Sequence, residues 1–398
     1  MKFEKCRIVP YSKSTRSTHL DHRIRLDNIA NTLSCGVGGS SQSTSNFVKD
    51  VDRNGEKILR LLTVKETERL MFWPDNWTKY GLDEKNLIYE IPKMARYKAC
   101  GNGIVSAVPK AILEKLIPED LKVDIFSTFS GVDGSTMLLD KKRFNKIGLA
   151  EFDPNQKNQH AANILKFHYT NTPNLGDITK IKSEEIKPFN LMFASSPCQS
   201  FSSAGKRSGF GDIRGTLFSE VVRILKDHNE CNFLFFENVK GLLDHNNGDT
   251  FLTILEAFSS IGFDLDFEVC NSKHFGVPQA RERVYLFGRR STISLEGESE
   301  SININTEESN PKKIERLAIV ERLKDRIRDN HLGIRLVNFN IPLSSKTKMK
   351  CMNSILEKGI MSTDEILSVT PVNSNHNVYK VIRDGVVWDD RITLKTTK

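Results

Sequence analysis

The sequence predicts an α/β protein built on a doubly wound, Rossmann-like sheet, and two observations carry that expectation. Short, continuous apolar runs recur between residues 121 and 290: Val123-Asp124-Ile125-Phe126, Leu191-Met192-Phe193-Ala194, Phe233-Leu234-Phe235-Phe236 and Val284-Tyr285-Leu286-Phe287. Runs of that kind suit strands buried on both faces of a sheet. Between them lie helix candidates, such as Leu217 to Lys226 and Thr250 to Ser260. Strands and helices in alternation build a doubly wound sheet, which binds its ligands at the carboxyl ends of the strands.

Before this block, Thr63 is placed to cap a helix while Glu66 reaches back to it, a capping box, and Pro74 stops the helix. A second helix is predicted over Pro109 to Leu116, with proline tolerated in its first turn. After the block, residues 291 to 313 are rich in Ser, Glu and Asn, so a linker or surface loop is expected. Val320, Leu323 and Ile327 then mark an amphipathic helix. Partial alternation over Val378 to Trp388 predicts a small α+β or β-rich unit.

With 398 residues the chain is long enough for two domains. No run of ~18 uninterrupted apolar residues occurs, so no membrane span is expected. The start, Met1-Lys2-Phe3-Glu4-Lys5-Cys6, lacks the apolar core of a secretory signal, and a cytoplasmic location is expected. The seven cysteines are scattered, with no CxxC pair and no His at zinc-ligand spacing, which argues against a disulfide framework and a structural metal. Most of them read as small buried hydrophobes. The net charge of +8 favours an acidic partner, nucleic acid first.

Four constellations carry chemistry. Phe129-Ser130-Gly131-Val132-Asp133-Gly134-Ser135 is a glycine-rich turn soon after a strand, where the backbone can approach a nucleotide closely; a plain structural turn fits it equally. Downstream, Glu151 ends an apolar segment, where a carboxylate can hold two ribose hydroxyls, and Asp177 is placed to accept a bond from an adenine amino group. Either acid also fits a solvated loop.

The second constellation, Ser196-Pro197-Cys198-Gln199-Ser200-Phe201-Ser202, puts a cysteine at the carboxyl end of a strand, where substrate binds. A Ser- and Gly-rich loop follows to Gly215, suited to closing over a substrate. Lys206, Arg207 and Arg214 are candidates for stabilising a thiolate. The third is Phe236-Glu237-Asn238-Val239, where desolvation should raise the carboxyl pKa and suit it to proton sharing near neutrality. The fourth is Gln279-Ala280-Arg281-Glu282-Arg283, whose two arginines should face one side. They suit a base oxygen, a phosphate, or a neighbouring acid that merely stabilises the fold.

In this order and at these separations, Phe-Ser-Gly, Pro-Cys-Gln, Glu-Asn-Val and Gln-x-Arg-x-Arg resemble the cytosine-5 DNA methyltransferase family, over about residues 28 to 290. The resemblance implies an S-adenosylmethionine-dependent methyltransferase domain with a smaller target-recognition domain. It implies that Cys198 attacks carbon 6 of a flipped-out cytosine in duplex DNA, and that Glu237 bonds ring nitrogen 3 and the exocyclic amine. Arg283 would hold the ring carbonyl oxygen, with Arg281 supporting it. Phe129, Gly131, Glu151, Phe152, Asp177, Ile178 and Pro197 would line the S-adenosylmethionine site. One departure is Asp133, where family members commonly have glycine; Asp tolerates turn conformations better than most residues.

Two further family-like segments stand in an unexpected place. Arg60 to Pro74 is similar to a stretch that normally follows the recognition region, and Tyr97 to Val105 to the one that normally ends the catalytic domain. Both precede the Phe-Ser-Gly turn here, so the chain reads as circularly permuted, with Asn102 a further cofactor candidate. The catalytic unit is then expected over 28–290, with cofactor-closing segments at 58–116 and a core at 121–290. Residues 291–398 together with 1–27 would form the recognition domain. Arg16, Arg23, Arg25, Arg316, Arg322, Lys324, Arg326 and Arg328 are its candidate phosphate contacts, though a solvated helix face explains the latter group equally well. The resemblance further implies a monomer on DNA and a cognate restriction endonuclease acting independently. A transfer-RNA methyltransferase and a non-catalytic DNA-binding regulator are the rival readings.

Overall fold

The computed structural model describes residues 8–10, 21–24, 29–33, 46–51, 57–196, 217–292, 311–330, 332–347, 355–356, 366–371, 378–383 and 386–396. Helix α1 (Val64–Leu70) begins where the capping box places it. The amide of Glu66 donates to Thr63 Oγ1 at 3.1 Å, and the amide of Thr63 donates to Glu66 Oε2 at 2.8 Å. Two of the amides that a helix start leaves unpaired are thereby satisfied. Helices α2 (Lys93–Asn102) and α3 (Ala107–Leu116) follow, the latter with Pro109 in its first turn.

Seven residues after α3 the central sheet begins. Its strands are β1 (Val123–Thr128), β2 (Phe144–Ala150), β3 (Leu191–Ala194), β4 (Phe233–Val239), β5 (Phe263–Asn271) and β6 (Glu282–Arg290). Helix α4 (His160–His168) lies between β2 and β3, α5 (Leu217–Asp227) between β3 and β4, and α6 (Asp249–Ser260) between β4 and β5. The spatial order is β5-β6-β4-β3-β1-β2. Strands β1 to β4 pair in parallel, while β6 runs antiparallel to both β4 and β5. The chain leaves β1 towards β2 and then crosses to β3 on the other side. The cleft at the carboxyl ends of β1 and β3 is therefore the topological switch point, the ligand position in sheets of this class.

Alternation along each strand explains the unbroken apolar runs. Phe233 and Phe235 enter one core with Ile125, Leu191, Phe193, Tyr285 and Phe287; Leu234 and Phe236 enter the other with Phe126, Met192 and Leu286. Neither face meets water, so no polar residue is needed at every second position. The first face is covered by Leu70, Trp73, Tyr97, Ile112 and Leu113, all from before β1. The second is covered by Phe218, Val221 and Leu225 of α5 and by Phe251, Ile254 and Phe258 of α6. A fully buried side chain of this size contributes roughly 1.5–3 kcal/mol, so three phenylalanines within four residues make β4 a central anchor.

Helix α7 (Pro311–Asn330) departs from the expected partition. Its stripe of Val320, Leu323 and Ile327 is buried in the second core, against the catalytic sheet, rather than in a separate unit. Periodicity foretells that a helix has an apolar face; it does not say which surface will cover it. Four basic residues of α7 are likewise occupied within the chain. Arg322 pairs with Asp244 at 3.1 Å, Arg326 with Asp249, Arg328 with Asp325 at 2.6 Å, and Lys324 with Asp266 and Glu268 at 3.0 and 3.2 Å. These partners favour the solvated-face and packing explanation over phosphate binding. Arg16 and Arg25 lie outside the described residues, as do the side chains of Arg23 and Arg316.

A second sheet joins the two ends of the chain. Its order is Ile8–Pro10, Asn46–Val51, Lys57–Leu61, Ile366–Pro371, Val378–Arg383, Val386–Thr396 and Asp21–Ile24. Pairing is antiparallel except between Val386–Thr396 and Asp21–Ile24. The sheet takes in Asn46–Val51 and Lys57–Leu61, which the sequence reading assigned to the catalytic unit. Strand Ala30–Asn31 belongs elsewhere, pairing in parallel with Gln279–Ala280 beside β6.

Candidate functional site

Register brings the chemistry-bearing residues into one row. Ala194 of β3 pairs with Thr128 of β1 on one side and Phe236 of β4 on the other, and Thr128 pairs with Ala150 of β2. The next residue on each strand therefore lies on the same edge: Phe129, Glu151, Ser195 and Glu237. On β6, Val239 faces Arg283, which returns that guanidinium to the same edge from the opposite direction. With neighbouring strands ~4.8 Å apart, Phe129 and Glu237 stand about 10 Å from each other.

Glu237 is 7% exposed, and its carboxylate is bracketed by two groups. Arg283 Nε lies 3.3 Å from Oε1, and Ser195 Oγ donates a long bond of 3.4 Å to Oε2. Burial raises the Glu237 pKa, and the charges of Arg283 and Arg281 offset that only in part. Desolvation is thus the leading influence on this carboxyl group, and it favours the protonated form. Asn238 anchors the strand end, donating from Nδ2 to the Ser196 carbonyl at 2.9 Å.

Arg281 and Arg283 have different work. The Arg281 side chain is buried and donates to three carbonyls: Leu33 at 2.9 Å, Gly101 at 2.9 Å and Gly103 at 2.7 Å. Burial, then repulsion by Arg283, brings its pKa down to about 9, still high enough to leave it charged at neutral pH. Gln279 makes a similar tie, accepting from the Leu33 amide at 3.0 Å and donating to the Leu70 carbonyl at 2.8 Å. Both side chains fasten early segments of the chain to the start of β6. Arg281 thus serves in the structure as a tie between segments of the chain.

The glycine-rich turn forms the other half of the row. Phe129, Gly131 and Asp133 have positive φ of 52°, 55° and 65°. The amide of Phe129 donates to the Ala150 carbonyl at 2.8 Å, and that of Gly131 to Glu151 Oε2 at 2.8 Å. A Cβ built on Gly131 meets nothing within 4 Å, so the turn opens onto free space there. A Cβ on Gly134 would instead lie 2.5 Å from the Ile104 carbonyl oxygen, because the early segment packs directly on the turn. Trp73 Nε1 donates to that same carbonyl at 3.0 Å, and Trp77 Nε1 to the Val132 carbonyl at 2.7 Å. Burial pushes the Glu151 carboxyl up to about 7, despite the Gly131 amide that favours its charged form.

Of the remaining candidates, Phe152 is 42% exposed and Asn102 is exposed at the end of α2. Asp177 is brought near Glu151 through Asn174, which accepts from the Glu151 amide at 3.0 Å and from the Gly176 amide at 3.1 Å. Asp177 Oδ1 already accepts from the Thr179 amide and hydroxyl. Those bonds and Lys180 outweigh its partial burial and hold its pKa low. The Ile178 side chain is buried in the second core, so only its backbone can face the cleft. Pro197 and Cys198 lie outside the described residues, as does the loop with Lys206, Arg207 and Arg214. Cys100, Cys231 and Cys270 are buried thiols, and burial pushes the first two up to about 12, as suits inert core residues.

Sequence reasoning gave no role to Ser195, Asn174, Trp73, Trp77 or Gln279. Gln279 stood inside a quoted motif and Trp73 inside the family-like Arg60 to Pro74 segment; Trp77 carried no signal beyond its size. Among the described residues no group of three or more His, Cys, Asp or Glu could hold a metal ion, and no helix is long and apolar enough to cross a membrane.

A family model described as C-5 cytosine-specific DNA methylase matches residues 123–392. An orphan methyltransferase of Bacillus phage SPR, M.SPRI, is 35% identical over 222 residues, covering 51% of this chain and 49% of its own. The Type II methyltransferase M.NgoBV of Neisseria gonorrhoeae is 44% identical over 135 residues, 32% of each chain. The matches thus span half or less of these curated relatives. Among solved structures, a Spodoptera frugiperda DNMT2 mutant is similar with a TM-score of 0.35 and 20% identity, covering 46% of this chain and 55% of that one.

Proposed function

This chain belongs to the C-5 cytosine-specific DNA methylase family, and from that premise we propose that it methylates carbon 5 of cytosine in duplex DNA. The observation that supports this most is the Glu237–Arg283 pair, 3.3 Å apart at the strand edge, beside the strand that runs on towards Cys198. An acid with a raised pKa next to a fixed guanidinium matches one edge of a pyrimidine. Glu237 would hold a proton against ring nitrogen 3 and accept from the exocyclic amine, while Arg283 would hold the ring oxygen. Cys198 would add as thiolate to carbon 6, and Glu237 would offset the charge that develops on the ring. The stacked base hides these atoms, so the cytosine must be extruded, at a cost of a few kcal/mol.

S-adenosylmethionine fits the other half of the row. Glu151 offers a carboxylate for two ribose hydroxyls, Phe152 an exposed ring for the adenine face, and Gly131 a backbone with open space above it. Asn102, Asp177 and the backbone of Phe129 and Ile178 would complete the enclosure, with Pro197. The donor's sulfonium supplies an electrophilic methyl group; the chain supplies the alignment.

The order of segments supports a circular permutation. Residues that close the donor side precede β1, yet they pack on the turn that follows it, and only Ile117–Lys122 is needed to join α3 to β1. The second sheet is the candidate target-recognition unit. A restriction–modification setting, with an independent endonuclease, is proposed on the ground that a relative is named Type II; an orphan role is the competing outcome.

Incubation of the full chain with tritiated S-adenosylmethionine and either duplex DNA or transfer RNA tests the reading. Label should enter DNA, and duplex carrying 5-fluorocytosine should form a covalent adduct that Cys198→Ala cannot form. Label confined to RNA, or no adduct from a chain that binds the duplex, would overturn it. Bisulfite sequencing of host DNA then gives the target sequence.

A further inference from the structure

Beneath the glycine-rich turn lies a buried charge cluster that the reaction leaves unused. Asp133 has no exposed surface. Its Oδ1 accepts from Thr136 Oγ1 at 2.7 Å, Ser135 Oγ at 3.2 Å and the Thr136 amide at 3.3 Å. Its Oδ2 accepts from the Tyr169 hydroxyl and pairs with the Lys146 ammonium, whose side chain is 7% exposed. Lys146 also stands over the Tyr169 ring, 4.5 Å from its centroid.

Lys146 belongs to β2, the strand that delivers Glu151 at its end. The turn is therefore tied to β2 twice: Gly131 to Glu151 above, Asp133 to Lys146 below. A glycine at position 133 would accept the left-handed conformation, φ 65°, without strain, whereas Asp takes it up at some cost. A buried ion pair is in addition a poor source of net stability. A costly residue with a costly partner is consistent with a gain in geometry rather than in folding energy.

We propose that Asp133 is a positioning residue for the methyl donor: through Lys146 and Tyr169 it fixes the Phe129–Gly134 turn so that the Gly131 backbone and Glu151 face the donor together. This rests on the turn being the donor site. The cluster acts on donor affinity and leaves the Glu237 and Arg283 side of the cleft in place.

Isothermal titration of the full chain with S-adenosylmethionine, at a temperature well below every variant's Tm, separates positioning from plain folding. Asp133→Asn should weaken binding on the order of tenfold, the worth of about one charge-assisted hydrogen bond. With saturating donor, kcat should move by less than about threefold, so the loss appears in KM. Tyr169→Phe, which leaves the ion pair in place and guards against a variant that does not fold, should weaken binding about threefold by the same arithmetic. Folded variants with lowered Tm but wild-type affinity would show a structural role only and overturn the inference, as would an equal fall in kcat and kcat/KM. A wild-type chain that binds no donor would sink the reading of the site itself, and this inference with it.

Discussion

Replacing Arg281 by methionine keeps much of the side chain's volume and removes all of its donors. Three carbonyls, of Leu33, Gly101 and Gly103, then lose partners at 2.7–2.9 Å inside the fold. A buried acceptor left unpaired costs about 1–3 kcal/mol, so the gross loss is roughly 3–9 kcal/mol. Against this stands relief of a desolvated cation that Arg283 repels. Breaking a buried charged network typically costs about 3–5 kcal/mol net, and that range is expected here. Urea unfolding followed by tryptophan fluorescence reads it, since Trp73 packs in the segment that Arg281 holds. The slope of the transition should stay unchanged while its midpoint falls. Arg281→Lys should recover part of the loss, because one ammonium can reach one or two of the carbonyls. A destabilisation below about 1 kcal/mol, the range of an ordinary surface substitution, would refute the account of Arg281 as the tie between early and late segments.

Three further outcomes are expected. Glu151 titrates near 7 when folded against an ordinary value of 4.5, so between those values the folded chain holds more protons than the unfolded one. Its contribution therefore falls as pH rises through that window and is constant above it; Tm measured from pH 4.5 to 8 should show the decline, and Glu151→Gln should flatten it. Gly134→Ala forces a methyl group to within 2.5 Å of the Ile104 carbonyl and should cost about 1–3 kcal/mol in denaturant unfolding; no change would mean the early segment gives way freely. Lys324→Met leaves Asp266 and Glu268 without their cation, and burial already raises both pKa values. Its cost should be smaller at pH 5 than at pH 8, where the two acids must stay charged, and a cost independent of pH would contradict the pairing.

How much of this was legible in the chain depends on whether the cause was local. The apolar runs foretold four of the six central strands because both faces are buried, and the Thr63–Glu66 box foretold a helix start because its bonds span three residues. Strand β2 was less visible, since Phe144-Asn145-Lys146 opens it with polar residues, and β5 likewise mixes Asp264, Asp266 and Glu268 into its run. The Glu237 and Arg283 positions were readable because each stands at a strand end within a motif. Their pairing was not, since it depends on the antiparallel return of β6 and a register that no local pattern encodes. The partner of α7 was hidden for the same reason. Asp133 looked like a mere departure until its left-handed turn and its two partners, 13 and 36 positions downstream, came together.

The second sheet has a consequence for how the chain is made. Strand Lys57–Leu61 finds one neighbour at once, in Asn46–Val51, but its other edge waits for Ile366–Pro371. Translation at ~5–20 residues per second puts roughly 300 residues, and on the order of 15–60 s, between the two. Through that interval the ribosome displays a half-built ladder with bare amides and carbonyls, the template on which neighbouring nascent chains can stick. Yield in a heterologous host should accordingly hinge on elongation rate and on holdase chaperones more than on the strength of the finished catalytic core.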